Sequence, residues 1–218
     1  MFEVRGSRNK SAGQSAPNVE RRTSNSASLI FATRWGWMGL AASAKGVRAI
    51  VLAKPSRPAV ERALAKRPGS TFDVRSSSRV TASKQVSSFP EHRTPNLEPV
   101  LREAQRQVRR YLAGGSRTLD FPIDLSSGTP FQRKVWKAAL RIPYGRARSY
   151  RWIASKVGGA RYARAVGNAL GSNPVPLIVP CHRVVAHDAS LGGFSCGLSV
   201  KRNLLDLEGT LKQLGHKV

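Results

Sequence analysis

From Leu29 onward the hydrophobic positions fall into runs that identify their own elements. Trp35-Gly-Trp-Met-Gly-Leu-Ala-Ala-Ser and Val47-Arg-Ala-Ile-Val-Leu are apolar runs joined by Ala44-Lys-Gly, the pattern of a β-hairpin at the edge of a sheet. Residues 58–67 have the composition of a short helix. Leu97, Val100, Leu101, Ala104, Val108, Tyr111 and Leu112 then recur at helical spacing and stop at Gly114-Gly115. Leu119 to Leu125 reads as a short strand. Thr129-Pro130 places a capping residue before a proline at the first helical position, and Phe131, Val135, Ala139 and Ile142 share a face until Pro143 ends the helix.

Beyond Pro143 the punctuation is dense. Ser149 caps a helix in which Tyr150, Ile153, Ala154 and Val157 lie on one face, Gly158-Gly159 stops it, and a second helix is expected from Ala160 to Leu170. Two short helices around a glycine turn make a helix-turn-helix pair. The second carries Arg161 and Arg164 on its early turns, while Ala163, Ala165, Gly167 and Ala169 keep its surface low, so another backbone, of protein or of nucleic acid, can approach it closely. The fold class that follows is α+β. A tail over residues 1–28, nearly free of apolar side chains, is expected to be disordered. An N-terminal α/β domain with an antiparallel sheet is expected over 29–122, and a helical C-terminal domain over 123–218. Residues 68–96, rich in Ser, Arg and Pro, predict no element.

Charge narrows the choice of partner. The chain has 218 residues with 37 Lys+Arg against 12 Asp+Glu, a net charge of +25. The excess is not confined to the tail: residues 29–122 hold 17 basic and 6 acidic side chains, and residues 123–218 hold 15 and 4. An acidic solvating segment and a coiled coil with balanced charges are excluded, and a polyanion is the first partner to consider. A generally basic, solubility-driven surface is the plainer reading of the same charge. Only Cys181 and Cys196 are present, too few for a disulfide framework and consistent with a reducing compartment. No run is long and apolar enough to span a bilayer and the start lacks an apolar signal segment, so no membrane partner is expected. The expected location is the cytoplasm, or the nucleus in a eukaryote.

The candidate chemistry follows Gly171. In Ser-Asn-Pro-Val-Pro-Leu-Ile-Val-Pro-Cys-His-Arg-Val-Val, prolines at 174, 176 and 180 deny helix and predict an extended, rigid path, with Leu177, Ile178 and Val179 buried. Cys181 then arrives at the edge of the core. A cysteine there reads either as a small buried hydrophobe or, given His182 and Arg183 beside it, as an activated nucleophile. Metal ligation by Cys181, His182, His187 and Cys196 is disfavoured because they lack the paired spacing of a tetrahedral site.

The string Pro180-Cys-His-Arg-Val184 resembles the active-site motif of the 6-O-alkylguanine-DNA alkyltransferases, also called methylated-DNA-protein-cysteine methyltransferases. Phe131-Gln-Arg-Lys-Val-Trp136, Ile142-Pro-Tyr-Gly145, Ser149-Tyr150, Ala163-Arg-Ala-Val-Gly167, Asn173-Pro-Val-Pro176, Gly192-Gly-Phe-Ser195 and Lys201 to Gly209 follow in that family's order. The likeness is close from Phe131 to Gly209 and looser from Trp35 to Asp124. It implies a ribonuclease-H-like N-terminal domain and a C-terminal domain of winged-helix or helix-turn-helix type. It also implies single-turnover transfer of an alkyl group from 6-O-alkylguanine, and from 4-O-alkylthymine, in double-stranded DNA, by a monomer needing neither cofactor nor metal.

By the same resemblance Cys181 is the acceptor, His182 takes its proton through a water, Glu208 orients the imidazole, and Asn173 holds the turn before the cysteine. Tyr150 and Ser195 would assist the departing guanine, with Lys201 nearby and Phe194, Val184 and Pro176 shaping the pocket. Arg164 would fill the stack vacated by the flipped base, with Arg161, Ser149, Ala163, Ala165 and Gly167 at the DNA surface. Departures are Cys196 beside the pocket where relatives carry Gly or Trp, Phe194 for Tyr, Asn203 for Trp, and no cysteine in residues 1–122 for the zinc site of some relatives. The competing functions are a non-catalytic binder of alkylated guanine, against which Cys181 argues, and a thiol hydrolase, which leaves the basic surface unexplained.

Overall fold

A computed structural model describes residues 26–67 and 96–214. The expected tail up to residue 25 and nearly all of the unassigned stretch 68–96 lie outside the described residues. Strands β1 (Ser26–Thr33), β2 (Gly36–Ser43) and β3 (Gly46–Lys54) form an antiparallel sheet in that order, with Leu29 opposite Leu40 and Ser43 opposite Gly46. The predicted hairpin is therefore β2 and β3. Strand β1 is an addition to the predicted elements, and it takes in residues 26–28 of the stretch whose composition predicts a disordered tail. Its short apolar stretch Leu29-Ile-Phe31 gives a weak local signal, and β1 is held by pairing along β2 rather than by its own composition.

The sheet has a helix on each face. Met38, Leu40, Ala42, Val47, Ile50 and Leu52 point to one side, where α2 (Glu98–Leu112) buries Leu101, Ala104, Val108, Tyr111 and Leu112 against them. Ala41, Ala49 and Val51 point to the other and meet Val60 and Leu64 of α1 (Arg57–Ala65). The period-two alternation of the strands is thus matched by two helical stripes.

The strand expected over Leu119–Leu125 does not form. The segment is extended, but Pro122 lacks an N–H, and the pairing reduces to Val47 N to Pro122 O at 2.8 Å and Asp124 N to Val47 O at 2.9 Å. It straps the end of the hairpin to the second half of the chain, aided by Ser43 Oγ donating to Asp124 Oδ2 at 2.6 Å. Gly46 makes the strap's approach possible. Its φ is +129°, and a Cβ there would lie 2.4 Å from the Pro122 carbonyl oxygen.

Helix α3 (Pro130–Ala139) begins at a complete capping box, with the Thr129 hydroxyl accepting from Gln132 N and Gln132 reaching back to Thr129 N. Helix α4 (Tyr150–Val157) is capped by Ser149 and stopped at Gly158. The second helix of the pair differs from expectation at its entry: Ala160–Tyr162 is a 3-10 turn and only Ala163–Gly171 is α-helical, as α5. Trp136, 1% exposed, binds α3 to α5 through its indole N–H to the Ala169 carbonyl at 2.8 Å. A two-residue parallel pair, β4 (Arg148–Ser149) with β5 (Val184–Val185), and helices α6 (Leu198–Leu207) and α7 (Leu211–Leu214) complete the described chain.

One continuous apolar core runs from the sheet through α2 and α3 to Cys181 and Leu204. The observed mixture of helices with an antiparallel sheet is the expected α+β class. Among the described residues no helix is long and apolar enough to cross a membrane. Gly46→Ala should destabilise the protein by about 2 kcal/mol or more, because both backbone conformation and space are lost. Urea unfolding checks this, and a loss of under about 0.5 kcal/mol would mean the strap can move aside.

Candidate active site

The segment leading to the cysteine is not the extended path that three prolines suggest. Leu177 takes a left-handed φ of 78°, Val179 N returns to Val175 O at 3.1 Å, and the chain folds into a tight buried loop. Prolines exclude helix, and the turn through Leu177 buries Val175, Leu177 and Val179. Asn173 organises the loop from inside. Its Oδ1 accepts from Val175 N at 3.0 Å, and its Nδ2 donates to Val179 O at 2.9 Å and to Cys181 Sγ at 3.1 Å. The loop is tied to the sheet by Ile50 N donating to Pro174 O at 2.8 Å.

Cys181, 5% exposed, opens a 3-10 turn, Cys181–Arg183, at the wall of a cleft of about 710 Å³. Tyr150, Ala163, Arg164, Gly167, Phe194 and Ser195 line the same cleft. A second cleft of the same volume, lined by Arg48, Arg67, Asp124 and Gln132 among others, has neither cysteine nor histidine in its lining. Burial pushes the Cys181 thiol up to about 11, although the Asn173 hydrogen bond works the other way. The resting group at neutral pH is therefore a protonated thiol. A base must take its proton when it reacts.

A candidate for that base stands next in sequence. His182 is fully buried, and its Nε2 lies 2.6 Å from Glu208 Oε1. Burial lowers the imidazole below its ordinary value despite the carboxylate, so it is neutral at pH 7. With Glu208 ionised and able only to accept, Nε2 carries the hydrogen, and Nδ1 is the ring's proton acceptor. Among the described residues Nδ1 is buried and meets no hydrogen-bonding group.

Glu208, the C-cap of α6, is the centre of the arrangement. Its Oε2 accepts from Arg183 Nε at 2.8 Å and from Gly145 N at 3.3 Å, and its Oε1 accepts from Arg183 Nη2 at 3.2 Å and from the Tyr111 hydroxyl. Burial disfavours the carboxylate, but His182 and Arg183 outweigh it and hold the group down at about 2. Arg183 also donates to the Ile142 carbonyl at 2.7 Å. Nothing in a one-dimensional pattern pointed to Tyr111 or Arg183 in these roles. Periodicity makes Tyr111 an apolar position of α2, although a buried tyrosine always raises the question of its hydroxyl's partner.

The family model described as 6-O-methylguanine DNA methyltransferase, DNA binding domain, matches residues 130–210. The methylated-DNA-protein-cysteine methyltransferase of Methanosarcina acetivorans is 44% identical over 113 residues, 52% of this chain and 72% of that protein. The constitutive methylated-DNA-protein-cysteine methyltransferase of Bacillus subtilis is 43% identical over 127 residues, 57% and 74% of the two chains. The chain belongs to the methylated-DNA-protein-cysteine methyltransferase family. A crystal structure of the Mycobacterium tuberculosis O6-methylguanine methyltransferase superposes with a TM-score of 0.59 at 32% identity, over 84% of this chain and 92% of that one. The Mycobacterium tuberculosis OGT in complex with DNA gives 0.59 at 31% identity, over 83% and 91%.

Within this methyltransferase the expected site residues separate into three groups. Cys181, Tyr150, Arg164, Ala163, Gly167, Phe194 and Ser195 meet at the cleft, joined by Arg151, Asn168 and Ala186, which sequence reasoning did not single out, and by His187, weighed there only as a metal ligand. Asn173, His182 and Glu208 stand behind it as a buried support. Ala165, Arg161, Ser149, Val184, Pro176 and Lys201 do not line it. Ser149 is the cap of α4, and Val184 and Pro176 are buried packing residues.

Lys201 is near the cleft but does not line it, being sealed in the core behind its wall. Its ammonium donates to the carbonyls of Val184 at 2.6 Å, Leu191, and Gly193 at 3.4 Å, so it staples the cleft wall from behind. Burial brings it down to about 8. Cys196 likewise does not line the cleft. It is half-buried, with Lys54 and Arg67 as its charged neighbours.

The depressed Glu208 carboxyl makes a pH prediction. Stability from this group is complete above the ordinary value of 4.5 and is lost as pH falls through that value toward about 2. Thermal unfolding from about pH 6 downward should show a steep acid decline in the wild type and a shallower one in Glu208→Gln, from a lower starting Tm. Parallel declines would place the acid sensitivity elsewhere.

Proposed function

We propose that this methyltransferase repairs double-stranded DNA by moving the alkyl group of 6-O-alkylguanine, or of 4-O-alkylthymine, onto Cys181 Sγ once per molecule. The observation that carries the reading is the placement of one thiol at a cleft wall, held by Asn173, with the neutral His182 and its carboxylate partner buried behind it. As His182 Nδ1 takes the thiol proton across one water, sulfur attacks the alkyl carbon. The carbon–oxygen bond to the base breaks, and guanine leaves with the electron pair. Tyr150 supports that departure. Burial, and then the nearby Cys181, keep its hydroxyl above its usual value, so it remains a donor at the cleft, where it reaches the Gly193 carbonyl at 3.2 Å. A thioether has no hydrolysable bond, which makes the reaction final. A reducing cytoplasm suits a protein that spends a thiol in each event.

Access for a base fits the surface around the cleft. The exposed side chains of α4 and α5 include Arg151, Lys156 and Arg164, and Ala163, Ala165 and Gly167 leave the face of α5 low, as a backbone-led approach to a groove requires. Arg164 is exposed and lines the cleft, which supports a role for it in filling the position of an extruded nucleotide.

Intact-mass spectrometry after mixing with a duplex bearing one 6-O-methylguanine should show a single gain of about 14 Da, absent in Cys181→Ala. Tight binding without a mass change would instead indicate a non-catalytic lesion binder. Arg164→Ala should slow repair of duplex by tenfold or more, while leaving reaction with free 6-O-methylguanine within about twofold. Equal losses on both substrates would remove the base-replacing role.

A further inference from the structure

Glu208 Oε1 serves more donors than the relay from Cys181 requires. His182 Nε2 and Arg183 Nη2 meet it, and so does the hydroxyl of Tyr111, which comes from the last turn of α2 in the N-terminal half of the chain. Tyr111 is 1% exposed and its hydroxyl also accepts from Arg183 Nη2 at 3.3 Å. The ring is fixed by an edge contact with Tyr144, centroids 5.9 Å apart, and Tyr144 in turn bonds the Leu207 carbonyl next to Glu208. The hydroxyl therefore cannot swing to another partner without breaking a packed pair.

We infer that Tyr111 is a positioning residue for alkyl transfer: its hydroxyl shares the carboxylate oxygen used by His182, and so sets how strongly Glu208 holds the imidazole. The inference rests on the proposed reaction, in which His182 accepts the thiol proton. A carboxylate oxygen divides its negative charge among its donors, and each added donor weakens the pull on the others. Without the Tyr111 hydroxyl, Glu208 Oε1 would bind the His182 N–H more tightly and favour the imidazolium, which cannot accept a proton. With it, the ring stays neutral into mildly acidic solution.

The charged surroundings point the same way. Besides Glu208, Arg183 from the 3-10 turn and Lys201 from α6 bear on His182, and both disfavour its protonation. The Cys181 thiol lies at the start of the same turn. Tyr144 packs over Arg183, with Arg117 on the ring from outside. Glu208 is thus the carboxylate in this group, and Tyr111 the neutral donor that moderates it. Tyr111 also makes the N-terminal half more than a scaffold, since α2 reaches the relay through this one hydroxyl.

Single-turnover repair rates of the full chain between about pH 5 and 9, for wild type and Tyr111→Phe, test the inference. The acid limb of the profile should move up by about half a pH unit or more. That corresponds to a threefold or greater loss at pH values below the midpoint, with the plateau within about threefold of wild type. Rates are taken per folded molecule, from circular dichroism at each pH, so that acid unfolding of a less stable variant does not enter the midpoint. Titration of the His182 ring by NMR, assigned with His182→Gln, should show the same upward shift without DNA.

A 3-fluorotyrosine at position 111 is a stronger donor of nearly the same shape and should move both midpoints down, which keeps the test usable if the phenylalanine variant does not fold. Unchanged midpoints in both variants overturn the role of Tyr111. Failure of the wild type to take up a methyl group would overturn the reaction itself, and the NMR shift would still report on the Tyr111 contact.

Discussion

A carboxylate sealed away from water must be met by donors, and Glu208 collects them from three distant stretches of chain: Tyr111 at the end of α2, Gly145 in the loop after α3, and His182 with Arg183 in the turn beside the nucleophile. Removing one partner of such a group leaves an uncompensated buried charge, a penalty of about 3–5 kcal/mol. The sheet half and the helical half therefore cannot settle independently of this residue. Strap, loop and turn take positions that satisfy it, and the core closes around them as one apolar body.

The same constraint determines the chemistry. Because Arg183 neutralises Glu208 and burial opposes the imidazolium, His182 is a neutral base locked in one tautomer. Because Cys181 is desolvated, its thiol stays protonated until a substrate fills the cleft. A site built this way keeps a thiol quiet in the resting protein and spends it only where the base behind it can act. That restraint suits a nucleophile used once.

Local chemistry was legible wherever a side chain acts on its own backbone. Thr129, Ser149, Pro130 and the Gly158-Gly159 stop announced α3 and α4 because caps and breakers work within a few residues. The Pro-Cys-His-Arg string and its companions carried the family and the cysteine. Features that depend on a distant partner were read less well. Strand β1 has a thin apolar signal and exists because β2 offers it a ladder. Leu119–Leu125 has the composition of a strand, yet Pro122 and a single opposing residue reduce it to a strap. The prolines before Cys181 suggested extension, whereas burial of Leu177 and Val179 turned the path back on itself.

Lys201 and Tyr111 mark the limit most sharply. The resemblance placed the lysine near the departing guanine, and periodicity placed the tyrosine in the core. The structure sends the lysine inward to three carbonyls and finds a polar duty for the tyrosine's hydroxyl. The amino-acid sequence by itself determined the main helices of the helical half, the basic charge, the candidate nucleophile and base, and the family. Tertiary structure alone decided which buried polar groups meet and which line the cleft. Hydrogen-bond partners tens of residues apart are chosen by the cost of leaving a buried group unpaired, and that cost exists only once the chain has closed around it.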